Sequence, residues 1–152
     1  MRKNCIAFLV LSFSLYTIVA SAQLPIDNKL IPETVKKHFA EKFPTAGVVV
    51  WTQPSPGFLE TTFSLDKHTV TVMYAMAMGD WISTDTKLKQ EEFPKADYDY
   101  TVKEFPTGKI TQYYKSETKK ATTYVSYIKS AGKTYSLSFD MDGNFLSKEE
   151  EE

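Results

Sequence analysis

Ile31-Pro32 is followed twelve residues later by Phe43-Pro44-Thr45, and Phe93-Pro94 is followed twelve residues later by Phe105-Pro106-Thr107. The offset between these frames is 62 residues at both points. Continued at that offset, Trp51 falls over Tyr113, and with two residues added Gly79-Asp80-Trp81-Ile82-Ser83 falls over Gly143-Asn144-Phe145-Leu146-Ser147. So many matches in one order mark an internal duplication, and we read two units, over about residues 28–88 and 90–148.

Each unit reads as a helix followed by strands. Proline is tolerated at the first helical position because its missing N–H would be unpaired there anyway, so Pro32 and Pro94 open the helices and Pro44 and Pro106 end them. Val35, Phe39 and Phe43 form an apolar stripe, while Lys36, Lys37, Glu41 and Lys42 take the wet side. The second helix offers a thinner stripe of Tyr98, Val102 and Phe105, interrupted by Asp97 and Asp99. The period then changes to two, which predicts strands near 47–53, 57–65, 68–77 and 80–85, and again near 109–115, 121–129, 133–141 and 144–148. Val70, Val72, Tyr74 and Met76, with Tyr135, Leu137, Phe139 and Met141, are expected to meet the helices. Thr69, Thr71, Met73 and Ala75, with Thr134, Ser136, Ser138 and Asp140, are expected to face away. Asp142-Gly143 is a hairpin-turn dipeptide, since glycine accepts positive φ. The expected fold class is α+β: two tandem helix-plus-four-strand repeats forming one curved antiparallel sheet of about eight strands, with both helices on one face.

The first residues carry Arg2 and Lys3, then an apolar run from Cys5 to Ala20, then Ala20-Ser21-Ala22. That is the pattern of a signal peptide over residues 1–22, with cleavage expected after Ala22 and no stable membrane anchor left behind. Residues 23–152 then form one domain without cysteine, so neither a disulfide nor a thiolate metal ligand is available to it. The whole chain has 18 Lys and Arg against 19 Asp and Glu, and losing Arg2 and Lys3 moves the net charge from −1 to −3, which argues against a nucleic-acid partner. Glu149 to Glu152 read as a solvated, frayed tail.

The frame Ile31-Pro32-x-x-Val35…Phe43-Pro44, repeated as Phe93-Pro94…Phe105-Pro106-Thr107-Gly108-Lys109-Ile110 with Asp142-Gly143-Asn144-Phe145, resembles the bacterial secreted proteins called beta-lactamase-inhibitor-like or PepSY-like. The resemblance covers residues 28–148. It implies the curved sheet, residence in the periplasm or outside the cell, and no enzymatic activity. Inhibition of a beta-lactamase is implied only for the namesake, a type associated with disulfides that this mature chain cannot make.

Of recognisable chemistry the chain offers little. His38 and His68 read as surface residues, with no nucleophile motif beside either, and no phosphate loop, zinc pattern or dinucleotide fingerprint is visible. Met73, Met76, Met78 and Met141 are soft sulfur ligands of the kind Cu(I) takes, but strand parity splits them and core filling explains them better. Asp140, Asp142 and Asn144 have the alternate spacing that opens a calcium loop, yet Phe145 stands where such a loop wants glycine, so we expect no metal and no cofactor. Eighteen aromatic residues remain after the leader is removed. Parity places Val48 and Ile110 in the core and therefore Trp51 and Tyr113 on the open face, where one of Tyr124 or Tyr127 would join them beside Glu60 and Thr62. The expectation is a non-enzymatic periplasmic or secreted module that presents this face to a protein or peptide partner; the alternative is a small-molecule or metal-ion binder with a pocket between the repeats.

Overall fold

The structure, a computed structural model, describes residues 24–151; the expected leader and its cleavage site lie outside them. The prolines act where local geometry requires. Helix α1 spans Glu33–Lys42 and α2 spans Lys95–Glu104, each preceded by a short 3-10 turn, Asn28–Leu30 and Gln90–Glu92. Pro32 and Pro94 stand just before the first helical residue, one position earlier than expected, at φ −57, ψ 139 and φ −55, ψ 132. At the other ends Phe43 and Phe105 leave the helix at φ −129, ψ 61 and φ −126, ψ 70, donating their N–H groups to the carbonyls of Phe39 and Thr101.

Eight strands make one antiparallel sheet whose spatial order is the chain order. They are β1 (Trp51–Thr52), β2 (Phe58–Leu65), β3 (His68–Ala75), β4 (Trp81–Leu88), β5 (Lys109–Thr118), β6 (Thr122–Ser130), β7 (Lys133–Phe139) and β8 (Phe145–Glu151). Each strand returns beside the one before it, through α2 between β4 and β5 and by shorter links elsewhere; the two-residue hairpins β2–β3 and β6–β7 place Asp66 and Lys67 (φ 48 and 67) and Ala131 and Gly132 (φ 51 and 80) all at positive φ, as turns matching strand twist demand. Gly143 has φ +82 in the β7–β8 turn. There Asp140 Oδ1 accepts the N–H groups of Asp142 and Asn144, both at 2.9 Å, and these bonds with the Asn144 amide hold the Asp140 carboxyl below its ordinary range.

The apolar residues gather in two cores. In the first, Ile31, Val35, Phe39 and Phe43 meet Trp51, Leu59, Val70, Val72 and Tyr74, and the Phe39 ring stands edge-on to Trp51 and Phe63 with centroids at 5.3 Å. Burying each of these large side chains is worth about 1.5–3 kcal/mol. The second core is smaller: Phe93, Ile128, Leu137 and Phe139, with Tyr98, Phe105, Tyr113 and Tyr124 packed around it. Helix α2 instead turns polar side chains inward: Asp97 and Thr101 are fully buried, and Thr101 Oγ1 lies 3.0 Å from Ser126 Oγ. Between the cores the rung Val70–Thr86–Lys115–Tyr124 runs unbroken from β3 to β6.

The structure corrects several expectations. Strand β1 is two residues long because Gly47 turns at φ +69 and residues 47–50 are irregular, so no alternation carries from Val48 to Trp51. Val48 is fully exposed, whereas Trp51 is only 5% exposed and packs against Phe39 and Tyr74; burying the far larger indole wins. In the second half a bulge between Ile110 and Gln112 shifts the phase by one, so Ile110 and Tyr113 both reach the core side. Val102 is exposed, because the turn of α2 that meets the sheet carries Asp97 and Thr101 instead. Glu149 to Glu151 form no frayed tail, for they pair with Ser136, Tyr135 and Thr134 of β7. Met141 is exposed in the turn. Neither histidine is a free surface residue: His38 Nδ1 lies 2.9 Å from the Tyr74 hydroxyl, and His68 pairs with Glu92 at 2.8 Å.

Candidate functional site

Alternation along β2 and β3 sends Leu59, Val70, Val72 and Tyr74 toward α1, so Glu60, Thr62, Thr71 and Met73 take the other side. The ladder carries that side onward through the middle of the sheet. One rung reads Thr62–Thr71–Asp85–Ser116–Thr123, and the next on one side reads Glu60–Met73–Ser83. On the other side Lys87–Tyr114–Val125–Ser138 follows, with Tyr127 opposite Gln112 and Ser136 beyond it.

Asp85 is the centre of this arrangement. It is 5% exposed, Ser83 Oγ donates to its Oδ2 at 3.2 Å, and Oδ1 has no hydrogen-bond partner. Burial raises its pKa, the hydroxyls of Ser116 and Ser83 act against that, and Glu117 adds to it. Glu60 is raised too, first by burial and then by the negative charge of Asp85. Two carboxyl groups are thus held near each other in surroundings that disfavour their charge. The rings of Tyr114 and Tyr127 meet edge-on at 5.9 Å, and the Tyr114 hydroxyl donates to Gln112 Oε1 at 2.8 Å. Burial raises both phenols, Tyr127 far above the ordinary tyrosine range. The chemistry on offer is hydrogen-bond acceptance, negative charge and aromatic surface.

Of the six residues expected to line the binding face, Glu60, Thr62 and Tyr127 occupy this side together. Trp51, Tyr113 and Tyr124 do not, since each packs in a core: Trp51 under α1, Tyr113 and Tyr124 against Phe93 with ring centroids at 4.9 and 6.0 Å. Register explains it for Tyr124, which pairs with Phe139 and so shares the core side. Asp85, Tyr114 and the buried serines escaped the sequence reading. The available signal was an acid in mid-strand, Ser83-Thr84-Asp85-Thr86, where water is the usual partner for aspartate. Among the described residues no group of three or more His, Cys, Asp or Glu is placed to hold a metal ion, and no helix is long and apolar enough to cross a membrane. An open groove lined by Gln90, Phe93, Lys95 and Tyr98 lies where the chain passes from β4 into α2.

No protein-family model matches the chain. Among curated proteins none matches it either. Solved structures do share its fold. A DUF2874 family protein from Bacteroides uniformis is 18% identical with a TM-score of 0.70, covering 78% of this chain and 88% of its own. Another from Bacteroides ovatus is 21% identical at TM-score 0.70, covering 78% and 86%. A BLIP-like protein from Bacteroides fragilis is 18% identical at TM-score 0.68, covering 78% and 85%. The resemblance to beta-lactamase-inhibitor-like proteins therefore holds at the level of the fold.

Proposed function

We propose that this chain is an exported, non-enzymatic binding module that holds a protein or peptide partner against the side of its sheet turned away from the helices. In this reading the two halves are copies of one unit, both helices cover one side, and the sheet curves so that its other side is concave. The matched dihedrals of Pro32 and Pro94, and of Phe43 and Phe105, support the duplication. The unbroken rung from Val70 to Tyr124 supports a common helix side.

One observation carries the binding reading. Ser83, Asp85, Ser116, Tyr127 and Ser136 are all buried, yet strand alternation puts them on the side opposite Val70, Val72, Tyr74 and Phe139, which in this reading no helix covers. Small polar side chains on a flat bare sheet would be wet; in a concave strip they are sheltered and available to a partner that completes the enclosure. The leader pattern of residues 1–22 supports export. Inhibitor-like action on a partner enzyme is one form such binding takes, and for this chain it is an analogy of fold.

The test is capture from periplasmic extract of the host bacterium by immobilised residues 23–152. Thr62→Arg adds bulk to the concave side, and Lys103→Glu alters the exposed side of α2. Retained proteins are expected to be lost with the first and kept with the second. The reverse pattern, or equal retention by both, overturns the reading.

A further inference from the structure

Asp85 is costly to the protein that carries it. A carboxylate accepts up to about four hydrogen bonds; this one has only the Ser83 hydroxyl on Oδ2 at 3.2 Å, long for a bond to a charged oxygen, and the Ser116 hydroxyl near enough to lower its pKa, while Oδ1 is left without a partner. Lys87, two residues along β4 on the same side, is exposed and leaves that oxygen unpaired. Glu60 adds a second carboxyl whose charge Asp85 disfavours, as Glu117 disfavours that of Asp85. A structural aspartate would be expected to find a donor inside the fold.

We propose that Asp85, with Glu60 and Tyr114 beside it, seats an arginine or lysine side chain of the polypeptide partner. This rests on the reading of the concave side as the binding surface and adds the chemistry of what enters it. Once the side chains over Asp85 give way, a guanidinium or ammonium group supplies the donors that Oδ1 lacks, offsets both carboxylates, and lies against the Tyr114 ring. An organic cation fits better than a metal ion, because two acids with serine and threonine hydroxyls fall short of the ligand set a divalent cation needs. A side chain on a polypeptide fits better than a free amine, because the hydroxyl row Thr62–Thr71–Asp85–Ser116–Thr123 crosses five strands and continues well past the acid pair.

The test titrates 15N-labelled residues 23–152 at constant ionic strength with three probes: acetyl-Gly-Gly-Arg-Gly-Gly-amide, its citrulline analogue, and guanidinium chloride. The arginine peptide should shift the amides of Thr71, Asp85 and Ser116, and the citrulline peptide should not. Asp85→Asn should weaken the arginine peptide about tenfold or more, the scale of a lost charge-assisted hydrogen bond. Lys87→Met, at an exposed site that leaves the fold intact, should tighten it roughly twofold by removing a competing cation. Equal shifts with citrulline, shifts confined to the helix side, or affinity unmoved by both variants would overturn the proposal. Guanidinium matching the peptide in affinity would overturn the polypeptide half of it. Failure of these titrations while Thr62→Arg still abolishes capture sinks the Asp85 seat alone; failure of both sinks the binding surface with it.

Discussion

Asp97 sits in the first turn of α2, fully buried, with no hydrogen-bond partner for either carboxyl oxygen, and a Cβ at Gly143 would come within 3.2 Å of its Oδ1. Burial, and then the charge of Asp140, push its pKa up to about 6 from 3.8. A folded-state pKa above the unfolded one means that the native state holds the proton more tightly. Below pH 4 both states are protonated and the group is neutral in stability; between about 4 and 6 the native state loses its advantage, and above 6 it bears the full penalty of a buried charge. Two units correspond to a ceiling of about 3 kcal/mol. The N-terminal end of α2 favours the anion and nearby water screens it, so we expect about 1–2 kcal/mol. Asp97→Asn removes the titration while keeping the shape. Urea unfolding of the native and variant chains at pH 4.5, 5.5, 6.5 and 7.5 should show the variant gaining on the native protein by that amount as pH rises. A constant offset from the unpaired amide is irrelevant, because the change with pH is what is read. A stability difference flat to within roughly 0.3 kcal/mol across the range would refute the unpaired burial of Asp97.

Trp51→Ala should cost about 3–5 kcal/mol, the range for a large aromatic lost from a core, and a urea midpoint shift worth less than about 1 kcal/mol would return Trp51 to the surface. Asp85→Asn should raise stability at pH 7 by roughly 1 kcal/mol, since an uncompensated buried charge is removed, as binding sites often sacrifice stability for function; a fall of similar size by the same measurement would make Asp85 a structural residue. Truncation after Leu88 strips β4 of its partner β5, which it meets in register from Ser83 to Leu88. The fragment should self-associate through that bare edge, and a monomer by light scattering that unfolds cooperatively would contradict a continuous sheet.

The parts of the fold that were legible are those decided locally. Pro32 and Pro94 open helices because of their own ring geometry, and Val70, Val72 and Tyr74 alternate because a strand has period two. Trp51 and Tyr113 were misplaced because parity propagates only through unbroken pairing, and a two-residue β1 and a bulge beyond Ile110 break it at those two points. Asp85 and Asp97 were hard to read for a different reason. An acid in mid-strand was a hint at Asp85 and Ala-Asp-Tyr offered none at Asp97; whether either carboxyl is covered depends on strand pairing and helix docking, which involve residues far away in the chain.

The most direct test is photocrosslinking in the living cell. A benzophenone amino acid replaces Thr62 on the Asp85 side of the sheet or Lys103 on the exposed side of α2, and intact cells are irradiated. Discrete adducts of defined mass from position 62 and none from position 103 are the predicted result. Adducts from 103 alone, or the same ladder from both, would contradict the proposed binding on the Asp85 side of the sheet.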